Sequence, residues 1–116
     1  MSDNPTQAIN LEAALAICDG DRELFGEIAQ VFLEDAADRM KQLKQAINTR
    51  DSLAIMKMGH ALKGLSGNIC AEGMKQAALQ LERAGRGEEL GSCADQLESL
   101  DREYQRVCAE LRKILP

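Results

Sequence analysis

Apolar positions recur at helical spacing through nearly the whole chain. Asn10 precedes Leu11, Ala14, Leu15 and Cys18, an i, i+3, i+4, i+7 set. That set predicts a short helix with an Asn cap, stopped at Gly20. Asp21 caps the next run, in which Leu24, Ile28, Val31, Phe32, Ala36, Met40, Leu43 and Ile47 form one stripe to about residue 48. Glu27, Glu34, Asp35, Asp38 and Lys41 occupy its other face. A polar break, Asn48-Thr49-Arg50-Asp51, leads to a third helix over about 52–70. Its stripe is Ile55, Met58, Leu62, Leu65 and Ile69. A slight break near Ala71–Gly73 precedes a fourth helix, with Met74, Ala77, Ala78, Leu81 and Ala84 inward and Gly85 and Gly87 ending it. Leu90, Cys93, Leu97, Leu100, Tyr104, Val107, Leu111 and Ile114 make a heptad-like seam in the last helix.

Short connections force neighbouring helices to run in opposite directions. The expected fold is therefore all-α, an antiparallel four-helix bundle with an additional short N-terminal helix at one end. Residues 1–8 read as a flexible polar start, and residues 9–116 as the helical domain. A single extended coiled coil is the rival, but Gly20, Gly85 and Gly87 interrupt the rod it would need.

Composition narrows the function classes. The chain has 116 residues, enough for one domain. Aromatic residues are 3%, which disfavours a β-sandwich. The net charge of −5 gives no basic footprint for nucleic acid. No apolar run approaches the ~20 residues that cross a bilayer. The N-terminus carries no secretory pattern, so a cytoplasmic location and no membrane contact are expected. Cys18, Cys70, Cys93 and Cys108 are scattered without a C-x-x-C pair, and free structural thiols are expected. There is one histidine, His60, which excludes any single-chain site with two histidine ligands. No metal site is expected.

That histidine sits in the one place where the pattern departs from bundle logic. A helix advances about 100° per residue. His60, Lys63, Gly64 and Gly67 fall together on the face opposite the apolar stripe of the third helix. Two glycines inside a helix cost about 1 kcal/mol each relative to alanine. They serve either tight helix packing or an open surface beside the imidazole. Lys63, one turn from His60, offers a mobile positive charge. A lone helical histidine is most often a solvated polar residue; its company here argues for more.

The run His60-Ala61-Leu62-Lys63-Gly64-Leu65-Ser66-Gly67-Asn68-Ile69-Cys70-Ala71 resembles the signature of histidine-containing phosphotransfer (HPt) domains. Asp19-Gly20-Asp21-Arg22-Glu23-Leu24, Phe32-Leu33-Glu34-Asp35-Ala36, Ala71-Glu72 and Leu81-Glu82-Arg83-Ala84 resemble flanking patterns of the same family. The resemblance implies that His60 accepts the phosphoryl group and Lys63 helps hold it. It implies a docking surface that includes Gly64, Gly67 and Cys70, with Gly64 keeping the face clear. Cys70 departs from the family's usual glycine, and a shift in partner choice is expected from it.

The implied reaction is phosphoryl transfer from a receiver-domain aspartyl phosphate to His60, and onward to another response regulator. The chain is then a phosphocarrier and not an enzyme with its own nucleotide site; no P-loop or kinase motif is present. Expected partners are receiver domains and a hybrid sensor histidine kinase. No cofactor is expected, Mg²⁺ belonging to the receiver, and a monomer is expected. Two alternatives stay open: the phosphoacceptor domain of a chemotaxis-type histidine kinase, and a non-phosphorylated helical adaptor.

Overall fold

The computed structural model describes residues 7–115. They form five helices: α1 (Leu11–Ile17), α2 (Arg22–Asn48), α3 (Ser52–Asn68), α4 (Glu72–Gly87) and α5 (Cys93–Ile114). Helices α2 to α5 make the antiparallel bundle, each packed on its neighbours in chain order, with α5 closing against α2. The short α1 packs on α2. At 1.5 Å per residue α2 is about 40 Å long, and it sets the 41 Å long axis of the molecule.

Side-chain oxygens begin three of the helices. Asn10 accepts from the Ala13 N–H, Asp21 from Leu24 and Asp51 from Ala54. The ends of α1 to α4 share one device. A backbone N–H just beyond each helix reaches back five residues: Gly20 to Leu15, Asp51 to Ala46, Ala71 to Ser66 and Glu89 to Ala84. The residue before each of these donors is left-handed: Asp19 (φ 54°), Arg50 (φ 54°), Cys70 (φ 58°) and Glu88 (φ 55°). None is glycine, which is why the stops were only partly visible. Gly85, expected to end α4, lies inside it and is buried.

The core is built from Phe32, Leu43, Ile55, Leu62, Ile69, Met74, Leu81, Leu100 and Leu111, all under 2% exposed. In the first half of α2 the inward stripe is Phe25, Ala29, Phe32 and Ala36. The expected inward residues Leu24 and Val31 are 42% and 53% exposed. The alternative registers differ by one residue. The one observed puts both phenylalanines inside, burying more area per side chain.

Residues 1–6 of the expected flexible start lie outside the described residues. Its last residue, Ala8, is buried, and the N–H groups of Ala8 and Ile9 both donate to the Glu110 carboxylate. Among the described residues all four cysteines are free thiols, and no helix is long and apolar enough to cross a membrane.

Candidate functional site

The buried face of α3 runs through Ile55, Gly59, Leu62 and Ser66. At Gly59 the α4 backbone comes so close that a Cβ would lie 2.6 Å from the Glu82 N and 3.1 Å from the Ala78 O. Gly85 reciprocates from α4, where a Cβ would lie 2.5 Å from the Met56 N and 2.7 Å from the Ser52 O. These two glycines, and not Gly64 or Gly67, serve helix packing. A Cβ on Gly64 would meet nothing within 4 Å. On Gly67 it would touch only the Lys75 Cδ, at an ordinary 3.9 Å. The open-surface reading therefore fits Gly64.

The close approach at Gly59 places Glu82 next to the following residue on α3, His60. The imidazole is 69% exposed, while the Glu82 side chain is 3% exposed. His60 Nδ1 lies 3.2 Å from Glu82 Oε2. Arg86, one turn along α4, donates to the same oxygen at 2.8 Å. Lys63 Nζ meets the other oxygen, Oε1, at 2.8 Å. One buried carboxylate thus gathers three nitrogen-bearing side chains, two from α3 and one from α4. The hydrogen bond from Lys63 does most to lower its pKa, burial opposes it, and Arg86 and His60 add to it. The net result is a carboxyl held down at about 2. Glu82 is therefore an anion at any physiological pH.

An anionic acceptor at Nδ1 fixes the tautomer of a neutral imidazole. Nδ1 carries the proton and donates it to Glu82. The lone pair is then on Nε2, which has no partner among the described residues. The arrangement presents an oriented nitrogen lone pair at the surface, with Lys63 one turn away on α3 and Arg86 on the same Glu82 carboxylate.

Glu82 was not among the candidate site residues, although a signal was present. It stands four residues after Ala78 and one after Leu81, in the stripe that α4 buries. A carboxylate at a core position needs partners. Ser66 is also buried, and its Oγ donates to the Leu62 carbonyl, which makes it a structural residue. Cys70 lies at the α3–α4 corner, beyond the end of α3 and more than two helical turns along the chain from His60. It is partly buried there and its carbonyl accepts from the Asn10 N–H. Burial pushes its thiol pKa up, and Cys18 and Glu72 add to the rise. Among the described residues no cluster of His, Cys, Asp or Glu has the makings of a metal site.

Fold and site together define a helical bundle that displays one tautomerically fixed histidine. Comparison with known proteins makes the class specific. The family model for the Hpt domain matches residues 27–110, and the chain belongs to that family. It is 23% identical over 97 residues to histidine-containing phosphotransfer protein 2 of Arabidopsis thaliana. That match covers 81% of this chain and 62% of the plant protein's length. The crystal structure of histidine-containing phosphotransfer protein B (HptB) from Pseudomonas aeruginosa PAO1 superposes with a TM-score of 0.85. That likeness covers 91% of this chain and 92% of the other, at 21% identity, and bears on the fold.

Proposed function

We propose that this chain accepts a phosphoryl group on His60 Nε2 from a receiver-domain aspartyl phosphate and passes it to another response regulator. The carrying observation is the open Nε2 of an exposed imidazole whose Nδ1 is occupied by Glu82. Family membership supports a histidine phosphotransfer role in a phosphorelay.

Phosphoryl transfer is mostly positioning and charge stabilisation. The Nε2 lone pair attacks phosphorus in line with the departing aspartyl oxygen. Lys63, 27% exposed, is close enough to turn from Glu82 to the incoming phosphoryl oxygens. In this reading Mg²⁺ sits on the receiver, the chain is a carrier without a nucleotide site of its own, and the reaction is cytoplasmic. Gly64 leaves room for the partner's active site. Exposed Leu24 and Val31, with Ile28 and Leu65, form a shallow apolar hollow between α2 and α3 on which a receiver can rest.

The test is transfer from a radiolabelled phosphorylated receiver. Label should reach the wild-type chain as an acid-labile, alkali-stable adduct. His60→Gln should take none, and Lys63→Ala should accept more slowly with unchanged helicity. A His60→Gln chain that still becomes labelled overturns the proposal.

A further inference from the structure

The buried carboxylate does more than orient the ring. We propose that Glu82 retains the Nδ1 proton of His60 through the whole transfer cycle, so that the phosphorylated ring is held as an imidazolium and the carrier discharges rapidly. This rests on the phosphocarrier reading and states what sets the carrier's lifetime.

The electron balance is simple. On charging, the Nε2 lone pair forms the N–P bond, and the P–O bond to the aspartyl carboxylate breaks with its electrons leaving on that carboxylate. Nδ1 keeps its hydrogen, so the ring becomes positive. On discharge to a receiver aspartate or to water, the N–P electrons return to Nε2. The leaving group is then neutral imidazole with its proton already on Nδ1. A phosphorylated ring that had lost that proton would have to leave as an imidazolate, a far poorer leaving group. The Nδ1 proton therefore decides how readily the phosphoryl group departs.

The structure supplies a reason for the proton to stay. Glu82 Oε2 lies 3.2 Å from Nδ1. The charged groups around the ring are Glu82 and Arg86 from α4 and Lys63 from α3 itself. Among the described residues no ion pair brings a charged group of α2 or α5 to it. When Lys63 turns to the phosphoryl oxygens, Glu82 loses its Oε1 cation, and the positive ring takes over part of that role. A charge-assisted hydrogen bond is roughly twice as strong as a neutral one. A glutamine at the same place presents both an acceptor and a donor. It tolerates the deprotonated ring as well as the protonated one.

The experiment phosphorylates the wild-type chain and Glu82→Gln with phosphoramidate, so that no receiver is needed for loading. Decay of the adduct is then followed from pH 6 to pH 10. At pH 10, above both transitions, the Glu82→Gln adduct should decay about tenfold more slowly, and its fall in rate should begin about one pH unit lower. Circular dichroism checks that the variant is folded. His60 is the chain's one histidine, so its ring ¹⁵N signals are unambiguous. In the wild type they should report a protonated Nδ1 before and after phosphorylation at pH 8. This second readout does not depend on the variant's fold. Equal decay profiles in the two folded chains, or a bare Nδ1 in the phosphorylated wild type, overturn this inference alone. Failure of receiver-to-His60 transfer while phosphoramidate still loads the ring overturns the relay reading and leaves the lifetime inference standing. A ring that phosphoramidate cannot load overturns both.

Discussion

Replacing Gly59 with alanine tests the contact on which the site is built. By helix propensity alone the change should stabilise α3 by about 1 kcal/mol. The structure reverses that sign. The new methyl would lie 2.6 Å from the Glu82 N and 2.9 Å from the Glu82 Cα. Ordinary carbon contacts begin near 3.4 Å, so α4 must retreat by about 0.8 Å. No rotamer relieves this, because the obstacle is backbone. Overpacking of this kind costs about 1–3 kcal/mol. The matched control is Gly64→Ala on the same helix, where a Cβ meets nothing within 4 Å. It should gain the propensity term of about 1 kcal/mol with no penalty.

Urea unfolding followed by circular dichroism measures both changes at constant m-value. Gly59→Ala should be destabilised by up to about 2 kcal/mol, and Gly64→Ala should be more stable than wild type. A second effect follows from where the clash falls. It lands on the backbone of Glu82 itself, so the 3.2 Å contact to His60 must lengthen. Phosphoryl acceptance should slow in Gly59→Ala even below its unfolding transition. Equal stability gains in the two variants would refute the close-packing argument. A destabilised Gly59→Ala with wild-type acceptance would sever packing from chemistry.

Three further outcomes are expected. Glu82 titrates at about 2 when folded against an ordinary 4.5, so its contribution to stability is complete above about pH 4.5 and is lost as pH falls through 2. The stability gap between wild type and Glu82→Gln, on the order of 2–3 kcal/mol at pH 7, should close between pH 4.5 and 2 in urea titrations; a constant gap would contradict the linkage. Cys70→Gly should raise stability by about 1 kcal/mol by relieving the left-handed backbone at φ 58°, and a loss of stability would show that the thiol's packing outweighs the strain. Val31→Glu, at a position 53% exposed, should leave stability within about 0.5 kcal/mol while slowing transfer from a receiver but not loading by phosphoramidate; unchanged receiver transfer would remove α2 from the docking face.

Much of this protein was legible because helical periodicity is redundant. The stripes of α3 and α5 each offer several turns of agreement, although α5 begins at Cys93 and leaves Leu90 in the preceding loop, and α3 buries Gly59 and Ser66 while Met58 and Leu65 are half-buried. The face of α2 was harder, since Leu24, Phe25, Ile28, Ala29, Val31 and Phe32 supply two overlapping stripes. Only the partner helices decide which one is buried. Helix ends were partly hidden because Arg50, Cys70 and Glu88 adopt a conformation usually marked by glycine. His60, Lys63 and Gly64 could be grouped from one helical wheel because they lie on one helix. Glu82 could not, because it reaches His60 only across the α3–α4 contact, and Arg86 joins the site only through Glu82.

That contact joins the stability of the bundle to the electrostatics of its surface. Gly59 and Gly85 each accept the other helix's backbone, one from α3 and one from α4. Only because the helices meet this closely is the Glu82 side chain 3% exposed while the imidazole it holds is 69% exposed. Separating the helices would admit water to the carboxylate. Its bonds to Lys63 and Arg86 would then weaken as water screens them. Its hold on Nδ1 would loosen for the same reason. An exposed histidine on an isolated helix would interchange its tautomers freely. The bundle converts it into a ring with one assigned proton and one open nitrogen. It does so with a carboxylate that never leaves the interior.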